Sequence, residues 1–204
     1  MTDNRDYVVH IVDDEEAVRQ SLAFMLTVAG FAVRVHNSAT DFLDLAPSLT
    51  NACLITDLRM PDMSGVELLR RLGAEKIAIP AIVITGHGDV PMAVEAMKAG
   101  ALDFIEKPFA EDVLIEAIRQ AAMQLKEHTA GAGNAAEIRR RLDELTDRER
   151  QVLSGVVAGL PNKTIGYDLD ISPRTVEVHR ANIMAKMQAK SLADLVRMAL
   201  SAGF

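Results

Sequence analysis

The strongest constraint on the fold of this chain is a repeated pattern. A short apolar, β-branched run stops at a polar residue, and a stretch with helical spacing follows. Cys53 to Thr56 runs into Asp57, and Tyr7 to Val12 stops at Asp13-Asp14. Ala81 to Thr85 ends on a hydroxyl, and Leu102 to Ile105 leads to Lys107-Pro108. Ala32 to Val35 is a fifth run of the same kind. Between the runs, apolar residues recur at intervals of three and four, as in Val18, Leu22, Met25 and Leu26, or Val66, Leu69 and Leu72. Gly30 closes the first helix, Ala39 to Leu45 reads as the second, and Ser64 caps the third. Val90 to Ala99 reads as the fourth, and the fifth starts near Glu111.

Five strands alternating with five helices predict an α/β domain with a parallel sheet covered on both faces. Right-handed crossovers leave few topologies. The flavodoxin-like order 2-1-3-4-5 sets strands one and three beside the switch point, where ligands gather at the carboxyl ends of strands. Asp13, Asp14, Asp57, Thr85 and Lys107 then share one edge. Singly, each reads as a solvated turn or a cap; together they form a chemical set.

Carboxylates crowded at one edge raise each other's pKa values. Mg2+, a hard ion with oxygen ligands, relieves that crowding. One carboxylate can then serve as nucleophile toward a phosphoryl group. Lys107 offers a mobile cation for phosphoryl oxygens, and Thr85 a hydroxyl.

The remaining candidates carry less. Cys53 has no partner cysteine and reads as a small core residue. His10 and His87 have no second histidine at ligand spacing, so structural or surface roles are expected. The N-terminus is polar, without a signal peptide, and no run reaches the ~20 apolar residues of a membrane helix. A cytoplasmic protein is expected.

Charge divides the chain. Met1 to Gln124 holds 10 Lys/Arg against 19 Asp/Glu, a balance of −9, and Leu125 to Phe204 holds 12 against 10, or +2. Two domains with different partners are implied. The expected boundaries are 1–126 for the first domain, 127–144 for a partly helical linker and 145–204 for the second. His128 to Asn134 reads as small and flexible, as a linker should be. Arg139-Arg140-Arg141 reads as a solvated face.

The second domain reads as four short helices. Thr146 and Glu149 form a capping box, Asn162 is expected to cap the second helix, and Ser172-Pro173 starts the third. Ser191 with Asp194 starts the fourth. The second and third helices have helix-turn-helix proportions. In the third, Val176, Ile183 and Met187 point inward, leaving Arg174, Glu177, Val178, Ala181, Asn182 and Lys186 as the outer stripe. That stripe suits a major groove.

The first half, with Asp13-Asp14, Asp57, Thr85 and Lys107 and with Pro61 and Gly65 after the acceptor, resembles a two-component receiver domain. The second half resembles the LuxR-type DNA-binding domain through Leu145-Thr146, Arg148-Glu149, Asn162-Lys163-Thr164-Ile165 and Ser172 to His179. Together they are similar to a response regulator of the NarL/FixJ family.

The receiver resemblance implies that Asp57 accepts a phosphoryl group from a sensor histidine kinase. It implies Mg2+ on Asp13 or Asp14, Asp57 and the Arg59 backbone carbonyl. It also makes Thr85, Lys107 and Phe104 the switch, with a cis Lys107-Pro108 bond. The output resemblance makes Glu177, Val178, Ala181 and Asn182 candidates for base contact, and Lys163, Thr164, Arg174, Thr175, His179 and Lys186 candidates for phosphate. Phosphate contacts set affinity and base contacts set sequence preference. The family further implies a FixL-like kinase, RNA polymerase and double-stranded promoter DNA as partners. Phosphorylation-driven homodimerisation, activation of nitrogen-fixation genes and no turnover chemistry complete the expectation. Two rivals are an aspartyl-phosphate phosphatase, which would need an acid where Arg59 stands, and a receiver whose helical half binds protein.

Overall fold

The structure, a computed structural model, describes residues 7–86, 90–127 and 134–204. His87 and the expected linker segment 128–133 lie outside the described residues. The strands are β1 (Val8–Val12), β2 (Ala32–His36), β3 (Ala52–Asp57), β4 (Ala81–Thr85) and β5 (Asp103–Glu106). The helices between and after them are α1 (Glu16–Val28), α2 (Ala39–Leu45), α3 (Gly65–Ala74), α4 (Val90–Lys98) and α5 (Glu111–Glu127). Five more follow: α6 (Asn134–Asp143), α7 (Asp147–Val157), α8 (Asn162–Asp168), α9 (Pro173–Met187) and α10 (Leu192–Ser201). The elements fall into two compact units, one holding the strands with α1–α3 and α5, the other holding α4 with α6–α10.

In the first unit the sheet is parallel and ordered β2-β1-β3-β4-β5, as the alternation of runs predicts. Val9, Ile11, Cys53, Ile55, Ile82 and Ile84 turn to one face and pack with Leu22 and Leu26 of α1 and Leu114 and Ile118 of α5. The alternate residues His10, Val12, Leu54 and Val83 are buried as well. Burial on both faces is why these strands read as unbroken apolar runs. Cys53 is a free, fully buried thiol, and burial pushes it up to about 12, where it is inert. Gly30 follows α1 at a φ of +88°, the left-handed end a glycine adopts without strain.

In the second unit, Thr146 and Glu149 form the complete capping box of α7, and Ser172 and Ser191 cap α9 and α10. Ile138 and Leu142 of α6 are buried. Val176, Ile183 and Met187 of α9 are fully buried, so the inward face is the one the spacing indicated. One cap differs. Pro161, not Asn162, occupies the N-cap of α8, and no side chain bonds the first turn. Asn162 is instead the first helical residue, and its side-chain oxygen accepts from Arg180 of α9 at 2.7 Å. A proline has fixed the chain direction one residue earlier, which frees the asparagine for a tertiary bond.

A histidine pair, His10 buried and His36 half-buried, carries no signal in the sequence. His10 Nδ1 and His36 Nε2 stand 2.9 Å apart with rings stacked at 5.2 Å, and Phe42 meets both edge-on. Parallel register sets Val12 opposite His36, which brings residues 26 apart together. Burial first, then His36 and Arg34, pushes His10 down to about 4; burial also lowers His36. The unfolded chain therefore takes up protons that the folded unit refuses. Stability is full above pH ~6.5 and falls as pH drops toward 4, by up to ~3 kcal/mol for His10. Urea midpoints at pH 7 and pH 4.5 check this, with His10→Phe flattening the dependence; a midpoint that rises on acidification contradicts it.

Candidate functional site

Three of the expected strand-end groups meet at the carboxyl edge of the first unit. Lys107, just past β5, places its ammonium 3.1 Å from Asp57 Oδ1 and 3.3 Å from Asp13 Oδ2. The bond from Lys107 to Pro108 is cis, and the Lys107 N–H donates to the Thr85 carbonyl at 2.7 Å. Each carboxylate is held on its other oxygen by a backbone N–H. Glu15 N donates to Asp13 Oδ1 at 2.9 Å, and Arg59 N to Asp57 Oδ2 at 2.7 Å. Both are Asx-type turns at a strand end.

The two acids differ in setting. Asp13 is buried, and burial pushes its carboxyl up, against bonds from Glu15 and Lys107 that pull it down. Burial alone would lower Lys107, but the two carboxylates outweigh it and raise the ammonium. The Asp57 side chain keeps 14% exposure, enough for a reacting group to arrive from solvent. Asp14 is exposed, Thr85 is buried at the end of β4, and Phe104 is half-buried within β5. Among the described residues, no three His, Cys, Asp or Glu side chains converge at metal-ligand spacing as they stand. The donors are nevertheless all oxygens, and two of them already converge on one cation, which fits a hard divalent ion completed by a carbonyl and water.

Further residues shape this edge. Arg19 of α1 donates to the Asp13 carbonyl at 2.6 Å. Thr40 of α2 gives both its N–H and its hydroxyl to Asp62 Oδ2, each at 3.0 Å, tying the loop after Asp57 to α2. Gly65 opens α3 so close to β3 that a Cβ there would stand 2.4 Å from the Asp57 carbonyl oxygen. Gly65 was in the motif; Arg19, Thr40 and Asp62 carried no signal, because their bonds depend on packing.

In the second unit, Arg174, Glu177, Val178, Ala181 and Asn182 of α9 are exposed, as are Lys163 and Thr164 of α8. Thr175 Oγ1 lies 2.8 Å from Ser172 Oγ at the helix start, and His179 is half-buried. Lys186 is occupied otherwise. Its ammonium bonds Glu149 at 2.6 Å and the Glu144 carbonyl at 3.2 Å. Burial alone would raise Glu149, but Lys186 and Thr146 hold it below the usual carboxylate range.

Residues 9–119 match the response regulator receiver domain, and residues 143–199 match the bacterial regulatory proteins of the luxR family. The chain is 71% identical to the transcriptional regulatory protein FixJ of Rhizobium meliloti, over 98% of both chains. Against FixJ of Azorhizobium caulinodans it is 54% identical over 96% of this chain and 92% of that one. The crystal structure of full-length FixJ from B. japonicum has 49% identity, 97% coverage of each chain and a TM-score of 0.59. The chain belongs to the response regulators, with a receiver and a LuxR-type DNA-binding domain. Within them it is FixJ-like, and the relatives are transcriptional regulators. Receiver domains generally use Mg2+, and the two domains imply a histidine kinase and DNA as partners. No described helix is long and apolar enough to cross a membrane.

The Lys186–Glu149 pair has a measurable consequence. Lys186→Met should lower the stability of the helical unit by about 2 kcal/mol, the scale of a charged hydrogen bond. It should leave the salt dependence of DNA binding unchanged. Thermal melts and a salt titration read both; unchanged stability with a shallower salt slope would place Lys186 on a phosphate instead.

Proposed function

We propose that Asp57 accepts a phosphoryl group from a FixL-like sensor histidine kinase, and that the event drives dimerisation and promoter binding at nitrogen-fixation genes. The observation that carries this reading is the shared ammonium: Lys107 lies within 3.1 and 3.3 Å of the Asp57 and Asp13 carboxylates. Asp13, Asp14, Asp57 and the Arg59 carbonyl would hold Mg2+. When bound, the ion neutralises charge on the phosphoryl oxygens.

An Asp57 oxygen attacks phosphorus as the bond to the kinase histidine breaks, and the imidazole leaves with the kinase. The new group carries about −1.5 to −2 charges. Lys107 follows it from Asp13, the Thr85 hydroxyl turns toward it, and Phe104 moves inward behind the threonine. Taking a two-state equilibrium from 1:99 to 99:1 requires ~5.5 kcal/mol of differential stabilisation, which phosphoryl contacts and pairing of two copies share. Self-dephosphorylation is slow and there is no substrate turnover. The chain acts in the cytoplasm. Glu177, Val178, Ala181 and Asn182 meet base edges, and Lys163, Thr164, Arg174, Thr175 and His179 lie along phosphates. RNA polymerase is then recruited at the bound promoter.

Light scattering with and without acetyl phosphate and Mg2+ tests the switch. Wild type should shift from monomer to dimer and gain duplex affinity, whereas Asp57→Asn should do neither. If Asp57→Asn dimerises as readily as wild type, the acceptor assignment is wrong.

A further inference from the structure

α8 is seven residues long and has no side-chain cap, yet its exposed first turn carries Lys163 and Thr164. A helix that short does not hold itself in water, so its placement comes from its neighbours. Arg148 of α7 donates to the Leu169 carbonyl at 2.6 Å and satisfies the C-terminal end. Gly155 of α7 lets Ile165 approach so closely that a Cβ there would stand 2.8 Å from Ile165 Cγ1. Among the described residues, the N-terminal end is tethered by the 2.7 Å bond from Arg180 Nη1 to Asn162 Oδ1.

Arg180 stands in α9 among the exposed residues Glu177, Val178, Ala181 and Asn182. An arginine in such a place ordinarily counts as a phosphate contact. Here its side chain is partly buried and one guanidinium N–H is committed to α8. We propose that Arg180 is a positioning residue for sequence recognition. Through Asn162 it sets the first turn of α8, with Lys163 and Thr164, in register with the exposed stripe of α9. The inference rests on the assignment of these two helices to DNA.

The two possible roles of an arginine separate cleanly. A phosphate contact sets affinity for any sequence, and its loss reduces the salt slope by about one. A positioning residue leaves the slope alone and erodes discrimination, because base contacts need register. The test uses the full chain with acetyl phosphate and Mg2+, a duplex selected from a random pool, and a scrambled duplex of equal length. Arg180→Met and Asn162→Ala should each cut the selected-to-scrambled affinity ratio about tenfold with the salt slope unchanged, and the double variant should be no worse than either. Asn162→Asp, which keeps the acceptor, should retain the ratio even as its charge weakens both duplexes alike. Arg174→Ala serves as the phosphate control, with a shallower slope and an intact ratio.

A shallower slope for Arg180→Met beside a wild-type Asn162→Ala makes Arg180 a phosphate contact and overturns the inference. A wild-type ratio in Asn162→Ala overturns it even if Arg180→Met fails to fold. If wild type selects no duplex at all, the DNA assignment of these helices fails first and the inference falls with it.

Discussion

The Lys107 ammonium between Asp13 and Asp57 is the interaction on which the receiver edge depends. Two carboxylates brought together at the end of a buried sheet repel each other, and the burial of one of them adds to the cost. A cation shared at 3.1 and 3.3 Å relieves both effects at once. It is also a poised arrangement. Lys107 bonds both carboxylates, so on the proposed reading a phosphoryl group on Asp57 would compete with Asp13 for it. The backbone serves that competition: β1, β3 and β5 each deliver one of the three groups, and parallel register holds the ends level.

The helical unit uses charge differently. Its net positive balance suggests cations facing DNA, yet several of them are tied to protein. Arg148 bonds the Leu169 carbonyl, Arg180 bonds Asn162, Lys186 bonds Glu149, and Arg141 bonds the Met187 carbonyl. Short helices with small apolar contacts need such tethers to keep fixed positions. The cations left exposed, Lys163 and Arg174 among them, are the ones the proposed reading assigns to phosphate.

Much of this was legible in the sequence, for identifiable reasons. A β-branched run that stops at a polar residue marks a strand end, so the sequence alone puts Asp13, Asp57, Thr85 and Lys107 on one edge. Caps built within one turn, such as Thr146 with Glu149 and Ser191 with Asp194, were legible because their partners lie three residues away. What stayed hidden joins distant segments. The His10–His36 pair, the Thr40–Asp62 tie and the Asn162–Arg180 tether exist only once strands and helices have packed. Asn162 shows the limit well: its residue type suits a cap, and a proline one position earlier redirected it.

The proposed switch requires that Asp57, rather than a neighbouring acid, take the phosphoryl group. The most direct measurement treats the protein with acetyl phosphate and Mg2+, reduces the acyl phosphate with borohydride, and locates the modified residue by peptide mass spectrometry. Homoserine is expected at position 57 and none at 13 or 14. Homoserine at Asp13 or Asp14 instead, or equal labelling of an Asp57→Asn variant, would contradict it.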